Sequence, residues 1–177
     1  MTIDPERLRD FARRYTAAWC SKDAGSVAAF FATNGSLRVN DNDPAVGREA
    51  ITDVAQGFMS AFPDMKVLMD DLIVDGDQAV YRWTLVGTNT GPGGTGRGVR
   101  ISGFEEWRIG ADGLIAESLG HFELPPPTRR RRVVGGRSSS LLLSEQWASH
   151  PRRRAHRPDS GGKLFVLAIR LVLERDA

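Results

Sequence analysis

Gln78-Ala79-Val80-Tyr81-Arg82-Trp83-Thr84-Leu85-Val86-Gly87-Thr88-Asn89 is the stretch that decides the fold. Tyr81, Trp83 and Leu85 recur at every second position, the period of a half-buried strand. Asp75-Gly76-Asp77 in front of it is a hairpin turn. The turn links it to an earlier strand over Lys66 to Val74, with a bulge expected at Asp70-Asp71. Downstream, Gly91-Pro92-Gly93-Gly94-Thr95-Gly96 forms a loop, and Arg97 to Ile109 returns as a strand. Ala111-Asp112-Gly113 turns the chain once more into a last strand over Leu114 to Glu123. The second half of the domain is therefore a series of antiparallel hairpins.

Upstream the period is 3.6. Asp4 caps a helix whose first position is Pro5, and Glu6 complements the helix dipole. Leu8, Phe11, Ala12, Tyr15 and Trp19 then share one face. Ser21-Lys22-Asp23 interrupts the pattern. A short second helix carries Val27, Phe30 and Phe31, with Asn34-Gly35 as its stop. Ser36 to Asn40 is expected as a short strand, and Asp41-Asn42-Asp43-Pro44 as a polar loop. Gly47 to Phe62 reads as a third helix, with Ile51, Val54, Ala55, Phe58 and Phe62 inward. Helices followed by hairpin-linked strands give an α+β fold, with helices on one face of a curved sheet.

Composition narrows the class. The single cysteine, Cys20, excludes an internal disulfide and any cysteine-cluster metal site. The acidic start Met-Thr-Ile-Asp-Pro-Glu has no apolar core of a signal peptide. No apolar run approaches the ~20 residues of a membrane helix, so a cytoplasmic protein with no membrane association is expected. The net charge of +2 averages two unlike pieces. Residues 1–124 hold 12 Lys and Arg against 18 Asp and Glu, and residues 125–177 hold 12 against 4. A basic isoelectric point is thus no argument that the whole chain binds nucleic acid.

Several strings carry a resemblance. They are Arg82-Trp83-Thr84 through Gly87-Thr88-Asn89-Thr90-Gly91, Val99-Arg100-Ile101-Ser102-Gly103 to Glu106-Trp107-Arg108, and Asp112-Gly113-Leu114-Ile115-Ala116-Glu117. Gly47-Arg48-Glu49-Ala50-Ile51 joins them. With the element order, these make residues 1–124 similar to the SnoaL-like branch of the nuclear transport factor 2-like superfamily. That resemblance implies a cone of three helices on a curved, mostly antiparallel sheet. It also implies a pocket between them, a homodimer formed through the sheet, and no cofactor. Members include polyketide ring cyclases, ketosteroid isomerases and proteins that catalyse nothing, so fold alone does not choose the reaction.

Acid/base work on a carbonyl compound needs a proton acceptor near its α-carbon and a donor at its oxygen. Tyr15 lies on the apolar face of the first helix and resembles the tyrosine that donates to the oxyanion in the isomerases. Its other reading is a core aromatic with a backbone partner. Glu105 alternates with Gly103 and Trp107 and falls where the isomerases carry a protonated aspartate. It either faces the pocket or pairs with Arg82 or Arg38. His121, placed on one face with Ile115, Glu117, Leu119 and Glu123, is the third catalytic candidate, its other reading being an outer-face residue at a dimer contact. Trp19, Asn40, Phe58, Trp83 and Trp107 are candidate ligand-binding residues, and the four aromatics among them suit plain core packing equally. The chain departs from its relatives at three places. Val39 and Asn40 stand where the isomerases have their base, Asn89 where many relatives have a histidine, and Gly120 where they have an aspartate.

No metal cluster, phosphate loop or nucleophile elbow is present in the sequence. The expectation is a small-molecule ligand handled by acid/base cyclisation or isomerisation. A non-catalytic binding or dimerisation module is the alternative. After Leu124 the chain becomes an irregular basic tail rich in Arg, Pro, Gly and Ser, without periodicity and expected to be disordered. Its Arg129–Arg132 and Arg152–Arg154 runs could attract nucleic acid electrostatically. The abrupt end of the family pattern at Phe122-Glu123 points instead to an out-of-frame reading of a GC-rich gene.

Overall fold

The computed structural model describes residues 4–122. The tail, and every expectation placed on it, lies outside the described residues.

Helix α1 spans Pro5–Cys20, with the Asp4 side chain accepting from the Glu6 amide at 3.0 Å. A short α2 covers Ala24–Ala28, capped by Asp23. Strand β1 is Phe31–Val39, β2 the two residues Ala45–Val46, and α3 runs Arg48–Ala61. Strands β3 (Lys66–Asp75), β4 (Gln78–Thr88), β5 (Gly98–Ile109) and β6 (Ile115–Phe122) complete the domain. They form one sheet in the order β2-β1-β6-β5-β4-β3. All neighbours are antiparallel except β1 and β6, which run parallel. The fold is α+β and matches that expected from the sequence.

Two elements differ from the sequence reading. The second helix ends before Phe31, and Phe31 to Gly35 belongs to β1 rather than to a helix and its stop. Phe31 pairs with Ile115 and is fully buried, and the pairing with β6 shifts register before Ser36. A Cβ at Gly35 would strike the Ile115 carbonyl, so glycine there allows a close strand approach rather than ending a helix. The polar loop after Asn40 is followed by β2, which pairs Ala45 and Val46 with Leu37 and Ser36. The bulge in β3 lies where the sequence put it, between Met69 and Asp71.

The core fills the space between the helices and the inner face of the sheet. Tyr15, Phe31, Phe62, Tyr81 and Trp107 are fully or almost fully buried. Tyr81 and Trp107 stack at 4.7 Å between centroids, and Tyr15 meets Trp107 edge-on at 5.2 Å. Aromatic pairs of this geometry contribute about 0.5–1.5 kcal/mol each beyond burial.

Asp64 fastens the turn after α3 to the end of β4, accepting from the Thr88 amide at 2.6 Å and its hydroxyl at 2.7 Å. These bonds hold the exposed Asp64 carboxyl below its ordinary range. No helix among the described residues is long and apolar enough to cross a membrane.

Candidate functional site

The inner faces of α1, β4, β5 and β6 converge on one carboxyl. Tyr15 follows Leu8, Phe11 and Ala12 along the buried stripe of α1. Glu105 lies in the middle of β5, opposite Tyr81 on β4 and Gly120 on β6. The side chain is 6 % exposed.

Its two oxygens are treated unequally. Oε2 accepts from Trp107 Nε1 at 2.8 Å, from Ser118 Oγ at 2.8 Å and from the Tyr15 hydroxyl at 3.1 Å. Oε1 has only a longer contact, 3.3 Å from the same tyrosine. Among the described residues no arginine pairs with Glu105. Arg38 is exposed, and Arg82 lies over the Phe104 ring on the opposite face. Burial raises the Glu105 carboxyl above its ordinary value, against the three donors, which lower it. Tyr15 is pushed well above the usual phenol range, first by burial and then by the charge of Glu105.

A second tyrosine is tied off separately. Thr16 Oγ1 gives its proton to the Ala12 carbonyl at 2.8 Å, so the Tyr81 hydroxyl, 2.7 Å away, is the donor to Thr16. This leaves Tyr81 an apolar wall with its polar end occupied.

Beside Glu105 lies a cavity of about 40 Å³. Trp19 and Phe58 bound it from the helices, Leu37 and Val39 from β1, and Trp83 and Leu85 from β4. Gly120 and Phe122 close the β6 side. Among the described wall residues Glu105 alone carries a carboxyl, and it lies within an otherwise apolar lining.

The candidates thus divide. Tyr15 and Glu105 are brought together, and Trp19, Phe58 and Trp83 line the cavity. Trp107 does not line it. Its ring is sandwiched among Phe11, Tyr15 and Tyr81, and its indole N–H turns to Glu105. Asn40 follows β1 in the turn with a positive φ of 50°, and its Oδ1 accepts from the Phe122 amide at 3.0 Å, outside the cavity.

His121 is on the other face of the sheet, stacked on Phe104 at 4.8 Å and 3.6 Å from Glu106. The expected facing of β6 is corrected by its register. Ile109 pairs with Ile115 but Arg108 with Glu117, so β6 holds one extra residue there. The slip reverses the parity and turns Ser118, Gly120 and Phe122 inward.

Ser118 is the residue that sequence reasoning missed. It is fully buried and spends its hydroxyl on Glu105. Only the register slip could have revealed it. Asn89, at the position of the relatives' histidine, is structural. It accepts from the Thr95 amide at 2.8 Å and donates to the Ala61 carbonyl at 3.3 Å, organising the glycine loop. Among the described residues no group of three or more His, Cys, Asp or Glu could hold a metal ion.

Solved structures share this architecture. An epoxide hydrolase/cyclase-like enzyme, SalBIII, of pyran ring formation in the polyether salinomycin is 16 % identical. The match covers 68 % of this chain and 93 % of that one, with a TM-score of 0.59. A hypothetical protein with a ketosteroid isomerase-like fold from Catenulispora acidiphila, in complex with trimethylamine, is 16 % identical over 69 % of this chain and 88 % of that one, TM-score 0.59. TsrD from Streptomyces laurentii is 22 % identical over 68 % and 91 %, TM-score 0.59. At these identities the likeness is one of fold. Among curated proteins none matches the chain. The SnoaL-like domain profile, however, matches residues 12–118. That span holds the C-terminal half of α1, the whole sheet up to Ser118, and every group bonded to Glu105, and on it the chain belongs to the SnoaL-like domain family.

Proposed function

We propose that the chain binds a small, largely apolar carbonyl compound beside Glu105, and that Glu105 exchanges a proton with it during cyclisation. The observation that carries this reading is the unequal treatment of the Glu105 oxygens in the wall of an apolar cavity. Three donors anchor Oε2, which suits it to be the carbonyl oxygen of a carboxylic acid. Oε1 is then the oxygen that carries the proton. Burial favours this protonated form.

One carboxyl suffices for a reaction that returns the proton it takes. In ring closure of a hydroxy-ketone, the hydroxyl oxygen bonds to the carbonyl carbon and the C=O π bond breaks. The Oε1 proton goes to the carbonyl oxygen, and the hydroxyl proton returns to Glu105. The apolar walls exclude water and strengthen the hydrogen bond to the developing oxyanion. Tyr15, Trp107 and Ser118 are positioning residues. They fix the carboxyl plane and do not bond the ligand. The pyran-forming chemistry named for SalBIII is compatible with such a ring closure.

The second reading, a binding module without turnover, is supported by the described wall residues, among which Glu105 is the one ionisable carboxyl or imidazole. The two separate on 5-hydroxypentan-2-one, whose ring and chain forms interconvert and are resolved by exchange NMR. Faster interconversion with the wild-type chain and not with Glu105→Gln is the expected result. Binding without acceleration leaves the module reading, and absence of binding rejects the pocket assignment.

A further inference from the structure

One buried polar atom in the cavity wall has no partner. Trp83 is 9 % exposed and lines the cavity, and its indole Nε1 makes no hydrogen bond among the described residues. An unmet buried donor is destabilising and rare in native proteins, so it asks for an acceptor from outside the chain.

The indole is also aimed. Trp83 pairs with Gly103 on β5, and a Cβ at Gly103 would lie 2.7 Å from Trp83 Cζ2. Cζ2 and Nε1 are both bonded to Cε2, so the edge bearing the N–H leans across β4 toward β5. Glycine at 103 is what lets the ring lie there. Glu105 is two residues further along β5 on the same inward face, the diagonal neighbour of Trp83. The Phe122 ring, 6.0 Å from the indole at 60°, offers at most a weak π contact.

Resting on the Glu105 reading above, we infer that the ligand carries two oxygen acceptors on different carbons of a compact apolar frame. One receives a hydrogen bond from Glu105 Oε1, and the other receives one from Trp83 Nε1. Trp83 is then a specificity-determining residue. It selects cyclic keto-ethers, diketones and hydroxy-ketones over simple ketones of the same shape. A cavity of about 40 Å³ holds only a few water molecules, so a six-membered ring enters only as the apolar side chains around it move outward, and compact ligands are preferred.

Two six-membered rings of nearly equal shape isolate the second acceptor: cyclohexanone and tetrahydropyran-4-one. Each is titrated into full-length protein labelled with ¹⁵N at its four tryptophans, with the Trp83 indole resonance identified from Trp83→Phe. Tetrahydropyran-4-one is expected to move that resonance downfield, and cyclohexanone to leave it in place. The ratio of the two dissociation constants should favour tetrahydropyran-4-one roughly fivefold more in wild type than in Trp83→Phe. Equal response of the Trp83 proton to both ketones overturns the inference, and Trp83→Tyr supplies the resonance assignment where Trp83→Phe does not fold. If both ketones bind equally and Glu105→Gln weakens both, the Trp83 role fails while the Glu105 reading stands. If neither binds, both fall.

Discussion

The Tyr15 hydroxyl reaches from α1 across the core to Glu105 Oε2 on β5, 3.1 Å away, so helix and sheet are joined by a buried hydrogen bond between residues 90 apart in sequence. Removing it leaves the carboxyl with Trp107 and Ser118 as donors. Tyr15→Phe should therefore lower stability by about 1–3 kcal/mol, the range for an unmet buried partner. Because the Tyr15 bond is among those that lower the Glu105 pKa, its loss should move that pKa further up. Denaturant unfolding gives the first quantity, and ¹³C-carboxyl NMR titration the second. A variant as stable as wild type, with Glu105 titrating unchanged, would show that the bond does not form in solution.

The same carboxyl sets a pH dependence. Glu105 has a folded pKa above its ordinary value of 4.5. The folded state thus holds the proton more tightly than the unfolded chain. The stabilisation is complete below 4.5 and is lost as pH rises through the raised folded pKa. Wild type should lose stability on going from acid toward neutral pH relative to Glu105→Gln, which keeps the shape without titrating. Urea unfolding of both proteins across that window measures the difference. A pH-independent gap between them rejects the assignment. Tyr15 extends the trend at alkaline pH. Its pKa is raised far above 10, so the unfolded chain ionises first and stability falls above pH 10.

Gly103 tests the packing that aims Trp83. A Cβ at this position would run into the His121 carbonyl oxygen, Trp83 Cζ2 and Phe122 Cβ. Backbone is among these neighbours, so relaxation is limited. Gly103→Ala should destabilise by about 1–3 kcal/mol through overpacking. It should also shift the Trp83 fluorescence and indole resonance, whereas Gly98→Ala, with open space at its Cβ, should do neither. Equal stability of the two variants contradicts the packing described.

What the sequence discloses of this domain follows from where periodicity is strong. The period of two through Tyr81, Trp83 and Leu85, and the turn at Asp75-Gly76-Asp77, place β3 and β4 with their bulge. Phe30 and Phe31 misled because an apolar pair three and four residues after Val27 fits a helix as well as a strand entry. Only pairing with Ile115 decides it. Tyr15 and Glu105 were legible as inward groups, but their partners were not. Ser118 is small and polar, and its facing depends on a one-residue slip opposite Ile109 that no local pattern records. A large aromatic such as Trp107 suits a pocket wall or the core equally, and what decides its place is a buried indole N–H that needs an acceptor and has Glu105. Trp83 has the same need and no such neighbour among the described residues.

Gly120 offers the sharpest test of which way β6 faces. It lines the cavity opposite Glu105, and a Cβ built there lies 3.3 Å from the Arg38 carbonyl oxygen and 3.7 Å from Glu105 Cγ. A side chain can enter with a small adjustment. Gly120→Asp would therefore put a second carboxyl beside Glu105 in an apolar enclosure. Two like charges so close cannot both ionise easily, so the pair should titrate in two separated steps, one higher than that of Glu105 alone. At neutral pH the variant should be about 2–4 kcal/mol less stable than wild type, through repulsion and desolvation. Near pH 4, with the carboxyls largely protonated, most of that deficit should disappear. Unfolding at both pH values, with ¹³C-carboxyl NMR, supplies the comparison. If the deficit is the same at pH 4 and pH 7 and Glu105 titrates as in wild type, residue 120 points away from the cavity. The inward placement of Ser118 and Phe122 would fail with it, because all three share one face of the strand.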